Sequence, residues 1–285
     1  MTGAAARGAR ANEAWSSRRV RVLTLCAAMA GLAASLTLYD SPFVRAGAVG
    51  ALLLAVVRLL WPHRLAPGPP LPELLLLSMP LSFIQGQELL STSGLPLYDQ
   101  YLYQLDAWLG QPGFAAGRVL AEWPALAAVC RWAYIAVPVV LPIAYLTTPT
   151  PGRYVASLLL SVGLGFACYW LIPAAGPRFT FPSYPWHEPV LTAQALYIPG
   201  AFPNCMPSLH LTWALLTARY SRWTLLMWPF VALTVASTLG LGEHYAIDLI
   251  AALPFTASIV WLVERSWRPR SRPASEGLPA DGEPA

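Results

Sequence analysis

Apolar residues gather in long uninterrupted stretches along this chain, and the polar ones stand between them. Residues 132–152, 154–177 and 223–242 carry no charged side chain over 21, 24 and 20 positions. Each stretch is close to the ~20 residues that a helix needs to cross a bilayer core. The pattern predicts helices over about 126–147, 154–172, 207–220, 223–241 and 246–264. Ahead of them, runs at 22–38 and 43–62 and a weaker one at 71–90, bounded by Glu73 and Glu88, predict three more. The expectation is an all-α, polytopic helical membrane protein of about eight transmembrane helices, a six-helix core preceded by two N-terminal helices. Pro138, Pro142, Pro229 and Pro254 fall inside the runs. Spanning helices tolerate proline because neighbouring helices re-satisfy the freed backbone groups. Arg18, Arg19 and Arg21 give the first run the look of a signal peptide, but no cleavage site ahead of a soluble domain stands out and more spans follow, so it reads as an uncleaved helix.

Residues 95–110 follow a different period. Tyr98, Tyr101, Leu102, Leu105, Trp108 and Leu109 recur at helical spacing, while Asp99, Gln100, Gln104 and Asp106 lie off that stripe. This predicts an amphipathic helix along the membrane surface or packed on the bundle, its acidic face turned to water. The organisation is then a disordered cytoplasmic tail over 1–19, two transmembrane helices within 20–70, a main membrane domain over 71–264 and a disordered cytoplasmic tail over 265–285. A Pro-rich linker falls at 66–72, and the last tail is rich in Pro, Gly and acidic residues, a composition that cannot bury a core.

Composition strengthens the membrane reading. Hydrophobic residues make up 56% of the chain and charged ones 11%, where ordinary globular domains carry about 25% charged. All 18 basic residues are arginines, and their placement fits topology better than nucleic-acid binding. With a cytoplasmic N-terminus and eight spans, 14 arginines fall inside and only Arg45, Arg118, Arg131 and Arg178 outside, the positive-inside pattern. Cys26, Cys130, Cys168 and Cys205 form no regular framework. The first three read as small apolar packers, and Cys205 as a loop cysteine, reactive or paired with Cys130 only as a lesser alternative.

Three polar motifs stand at helix edges: Gly176-Pro177-Arg178-Phe179, Pro207-Ser208-Leu209-His210 and His244-Tyr245-Ala246-Ile247-Asp248. Ionisable groups at a bilayer edge are costly and mark functional sites. His244 and Asp248, four apart, are placed to meet. A carboxylate on one imidazole nitrogen leaves the other free as a nucleophile. Ser208 suits an N-cap at a helix N-terminus that favours an anion, and the planar fork of Arg178 suits phosphate oxygens.

The three motifs, in this order, resemble those of the type-2 phosphatidic acid phosphatase superfamily, with a closer likeness to its inositol phosphorylceramide synthase and inositolphosphotransferase branch. The likeness covers roughly 95–264. The hydrolase branch carries Lys-x6-Arg-Pro, Pro-Ser-Gly-His and Ser-Arg-x5-His-x3-Asp; here Leu171, Phe179, Leu209 and Thr238 stand where its Lys, Pro, Gly and Arg would fall. The resemblance implies His244 as the nucleophile that becomes phosphohistidine, Asp248 as its orienter, His210 as general acid, and Arg178 as phosphate ligand. Ser208 is either a phosphate donor or only a cap. It implies no cofactor and no metal. Its partners are a membrane phospholipid donor, a lipid or sugar hydroxyl acceptor and the bilayer, with no nucleic acid, and the active site opens on the non-cytoplasmic face of what reads as a bacterial plasma membrane.

Glu243 reads as solvent-facing, and His187 as loop packing. A zinc site from His187, Cys205, His210 and His244 matches no standard spacing. Competing functions are a lipid phosphate phosphatase of the same superfamily, a non-enzymatic lipid or anion transporter, and, remotely, a membrane serine protease using Ser208. The transporter needs polar groups through the bilayer, whereas here they gather at one edge.

Overall fold

The computed structural model describes residues 41–60, 71–186 and 192–267, together with Cys26. The run at 22–38, the tails over 1–19 and 268–285, most of the linker and His187 lie outside the described residues. Among those residues the chain is all-helical, with one isolated antiparallel bridge between Leu97 and Leu196. Ten helices follow one another among the described residues: α1 Pro42–Leu60, α2 Leu71–Ser91, α3 Asp99–Ala107, α4 Pro112–Glu122, α5 Pro124–Thr147, α6 Pro151–Leu171, the single turn α7 Pro177–Thr180, α8 Leu209–Tyr220, α9 Thr224–Gly240 and α10 Ala246–Ser266. Proline opens α4, α5, α6 and α7, where its missing N–H costs nothing and its fixed φ suits the first turn.

Helices α5, α6 and α10 are long and apolar enough to cross a membrane. Of the other predicted spans, α1 and α9 are apolar over 10–17 residues, α8 has 12 residues, about 18 Å of helix, and α2 runs for 21 residues, with Glu73 and Glu88 inside it. α8 is the centre of the bundle, packed by α5, α6, α9 and α10. It is buried on nearly every side from Leu209 to Tyr220, which explains the absence of an amphipathic stripe in its sequence. Trp213 fills the middle of the core, and its indole N–H reaches the Ser161 hydroxyl at 3.0 Å, satisfying the one polar atom of a buried tryptophan.

The chain alternates direction through the bundle, so helix ends collect at two poles. One pole joins the end of α5, the start of α6, the α8–α9 turn and the end of α10. There Arg153 pairs with Glu264 at 2.7 Å and Thr147 meets Ser221 at 3.3 Å. The other pole gathers the start of α1, the end of α2, α3, α4, the end of α6, α7 and the starts of α8 and α10. All three motifs lie at this second pole.

The prediction for residues 95–110 is correct in its helix and wrong in its facing. Asp99 and Asp106 are buried, with Leu102 and Tyr103, whereas Tyr101, Trp108 and Leu109 are exposed. The helix turns its carboxylates inward because two neighbouring segments present backbone N–H groups there. Cys26 corrects another expectation, being exposed rather than packed, while Cys130 and Cys205 are buried and unpaired.

Candidate active site

The site is assembled from loops held together by hydrogen bonds between distant segments, among them Cys205 N–H to the Ala174 carbonyl and Ser208 N–H to the Asp248 carbonyl. Asp99 Oδ2 accepts the Ala175 N–H at 2.9 Å and Oδ1 accepts the Gly176 N–H at 2.8 Å. The Tyr245 hydroxyl donates to the same Oδ1 at 2.9 Å. One carboxylate of α3 thus binds the turn before Arg178 to the residue after His244. Seven residues on, Asp106 accepts the Ala246 and Ile247 N–H groups at 2.8 and 2.9 Å and so caps α10, where free N–H groups and the helix dipole favour an anion. Burial pushes both carboxyls above their usual range, Asp106 to about 6, against the lowering effect of these N–H groups.

Two glycines let the first and third motifs touch. Gly176 has φ 100° and Gly242 φ 71°, both in the region that side chains disfavour. A Cβ at Gly176 would run into the Glu243 carbonyl oxygen, and one at Gly242 into Arg178 and the Tyr184 ring. The contact this permits includes the Arg178 N–H donating to the Gly242 carbonyl at 3.0 Å.

His244 stands before the N-cap Tyr245 of α10 rather than on the helix, so it shares no helical face with Asp248. They meet because the chain folds back through a capping turn: the Tyr245 N–H donates to Asp248 Oδ2 at 2.8 Å, and His244 Nδ1 lies 3.5 Å from that oxygen. Backbone bonds from Glu243 and His244 to the Thr238 carbonyl, at 3.0 and 3.1 Å, hold the turn from the other side. Asp248 Oδ2 also faces the Cys205 thiol at 2.7 Å, whose proton burial holds in place by raising the thiol well above its usual range. Cys205 is therefore occupied in orienting Asp248 and unavailable to Cys130. The Cys205, His244 and Asp248 ligand atoms lie within 4.8 Å of one another, a different set from the zinc combination considered in the sequence.

Ser208 is buried and caps α8, accepting the Leu211 N–H at 3.4 Å. The hydroxyl hydrogen is left over by this cap, so capping and donation to a phosphate are compatible. His210 follows, 6.3 Å from His244 between ring centroids. Tyr134 stacks on it at 4.0 Å and 18°, and Phe43 packs edge-on at 5.6 Å. The buried His210 Nε2 has no hydrogen-bond partner among the described residues, leaving that nitrogen for an incoming group.

A cavity of about 670 Å³ opens onto these residues, with Arg178, His210, Tyr134, Arg131, Asn204 and Glu243 on its polar side and Phe43, Phe83, Ile84 and Phe179 on its apolar side. The expectation that Glu243 faces solvent is wrong. Its side chain is 13% exposed and its Oε1 lies 2.7 Å from Arg178 Nη1, while Tyr134 donates to Oε2 at 3.3 Å. Buried next to a cation, it has a partner that water would not supply. Burial raises the Glu243 carboxyl, opposed by Arg178 and His244. The Arg178 guanidinium also lies 4.5 Å over the Phe179 ring.

The predicted site residues thus come together: Arg178 and His210 on the cavity wall, His244 and Asp248 buried behind them, Ser208 at the cap beneath. Sequence reasoning missed Asp99, Asp106, Tyr134 and Cys205 as supporting residues and misread Glu243. One signal was available: two carboxylates seven apart on one helix face, in a chain with only 14 acidic residues. A second imidazole with a free nitrogen and a guanidinium on the cavity wall, with a buried imidazole and its carboxylate behind them, are equipped for nucleophilic attack on phosphorus.

A family model described as the PAP2 superfamily matches residues 100–262, more than half of the chain. No curated protein and no solved structure matches it.

Proposed function

The chain belongs to the PAP2 superfamily of phosphatase-type enzymes, and from that premise we propose that it is a membrane phosphotransferase acting on a phosphodiester lipid. In this reading it moves a phospho-head group, as an inositolphosphotransferase does, from a phospholipid to a lipid or sugar hydroxyl. The observation that carries it is the charge available to a phosphate. The hydrolase pattern surrounds its phosphomonoester with a Lys and two Arg. Here only Arg178 remains of the three. Leu171 is 76% exposed on the outside of the bundle, and the Thr238 hydroxyl is turned back onto the Thr234 carbonyl at 2.8 Å. A monoester carries close to two negative charges at neutral pH, and unmatched charge in a shielded site is expensive. A phosphodiester carries one, which one guanidinium can match.

The reaction then has two balanced halves. His244 attacks phosphorus through Nε2, its Nδ1 being turned to Asp248; the P–O bond to the lipid oxygen breaks, and protonated His210 gives that oxygen a proton. In the second half the acceptor hydroxyl gives its proton to His210 and attacks phosphorus, and the P–N bond to His244 breaks. Each histidine returns to its starting state.

The test is a side-by-side assay of purified protein on phosphatidic acid and on a phosphatidylinositol-type lipid, with and without a hydroxyl acceptor. Acceptor-dependent transfer from the diester is expected. Fast phosphate release from phosphatidic acid without such transfer would reject the reading and leave the phosphatase. That second reading has one observation in its favour: Arg131 lines the same cavity and supplies a second cation.

The arginine distribution supports a non-cytoplasmic site in a multi-pass protein. Arg153, Arg219, Arg222 and Arg265 collect at the pole opposite the motifs, continuing the bias of the whole sequence. In a background without native cysteines, Phe202→Cys should react with an impermeant thiol reagent added to intact cells, and Arg222→Cys only after permeabilisation. The reverse pattern overturns the orientation.

A further inference from the structure

We propose that Glu243 determines which phosphate the site accepts: it is an internal anion that holds Arg178 in the resting enzyme and that a substrate phosphate has to displace. The inference rests on the reading of Arg178 as phosphate ligand, and it adds a residue that the three motifs leave without a role.

Three observations carry it. First, the carboxylate sits on Nη1 of the guanidinium at 2.7 Å, one of the nitrogens that a bidentate phosphate would use. The cation expected to bind substrate is therefore already neutralised. Second, both partners line the cavity that His210 also lines, whereas His244, the next residue after Glu243, does not. The Arg178–Glu243 pair stands on the wall where a phosphate would approach His244, so loading the site requires that pair to open. Third, the pair is braced to reopen and reclose rather than drift. Tyr134 holds the other carboxylate oxygen while stacked on His210, and the Arg178 backbone is fixed to Gly242. A carboxylate displaced from Arg178 stays within the same small cavity, tethered by the short turn between Gly242 and His244.

The consequence is electrostatic selection. An entering phosphate meets Arg178 and, close by, the displaced carboxylate. A diester with one charge competes for the guanidinium on equal terms with Glu243. A monoester brings almost a second charge, which meets the displaced carboxylate as a like charge close by, in a site where such pairs are poorly screened, with Arg131 elsewhere on the wall as the one other cation among the lining residues. Glu243 thus acts against dianions, independently of the loss of the two basic residues of the hydrolase pattern. A structural ion pair with no part in selection would affect both substrate types alike.

The experiment compares kcat/KM on phosphatidic acid with kcat/KM on a phosphatidylinositol-type diester for purified wild type, Glu243→Gln and Glu243→Asp, with folding checked by thermal melting in detergent. Glu243→Gln keeps the shape and the Tyr134 contact but removes the charge, so the monoester-to-diester ratio should rise at least tenfold. Glu243→Asp keeps the charge, and its ratio should stay within about threefold of wild type. Where Glu243→Gln does not accumulate, Glu243→Asn is measured against Glu243→Asp in the same way. An unchanged ratio in the neutral variant, or equal losses on both substrates, overturns the inference. Arg178→Gln separates the two levels. If it raises KM on both substrates while the Glu243 ratio stays flat, only the present inference falls. If it leaves KM unaltered, the reading of Arg178 falls and takes this one with it.

Discussion

Replacing His244 by Ala should reduce turnover by roughly ten-thousand-fold or more, since removing a nucleophile abolishes the covalent route itself. The wild-type protein, acid-quenched under turnover at low temperature and neutralised at once, should carry acid-labile, alkali-stable phosphorus that maps to His244. The same treatment of His244→Ala should give none. The fold should survive, because the tethers of the turn come from the backbone: the His244 N–H to the Thr238 carbonyl and the Tyr245 N–H to Asp248. Asp248→Asn should be severe yet leaky. It keeps an oxygen that can accept from Tyr245, but it removes the charge that favours the imidazolium character developing during attack. Near-normal turnover in a well-folded His244→Ala protein would sink the phosphohistidine mechanism.

The second large effect is expected at a residue outside all three motifs. Asp99→Ala strands three buried donors at once, the N–H groups of Ala175 and Gly176 and the Tyr245 hydroxyl. At about 1–3 kcal/mol for each unsatisfied donor, the three together cost on the order of 3–9 kcal/mol, enough to lower the melting temperature clearly. Activity should fall further than stability accounts for, because the lost tether positions the Arg178 turn against the His244 turn. Measured well below the melting point, Asp99→Ala should keep no more than about a hundredth of wild-type kcat/KM. Asp99→Asn retains an amide oxygen for two of the three donors and should fall between. An Asp99→Ala protein with wild-type melting and activity would show that the tether does not organise the site.

These two predictions mark where the sequence was readable. Helices α5, α6 and α10 announce themselves because an apolar run of bilayer length is seldom anything but a spanning helix, and the motifs stand out as polar islands between such runs. Asp99 and Asp106 were misplaced for the same reason. Reading a face by its polarity assumes that polar side chains seek water, whereas here the two carboxylates seek the unpaired N–H groups of loops distant in sequence. Glu243 failed likewise: its neighbour in space, Arg178, lies 65 positions back along the chain, and nothing local to Gly242-Glu243-His244 reveals it. The His244–Asp248 spacing gave the right contact by the wrong geometry, since the pair meets across a capping turn.

The cavity wall has an origin of its own. Phe43 from α1 and Phe83, Ile84 and Gln87 from α2 line it, although both helices precede the stretch over 100–262 that the family model covers. The apolar wall is therefore shared: Ile135, Phe179, Phe202 and Leu241 supply one part from within that stretch, and α1 and α2 supply the other from outside it. On the proposed reading, a chimera that keeps the segment from α3 onward and takes its first two helices from a relative would keep the reaction and shift the acyl or head-group tolerance. The graft has one seam to respect, the edge-on packing of Phe43 against His210, where the borrowed wall touches the catalytic pole.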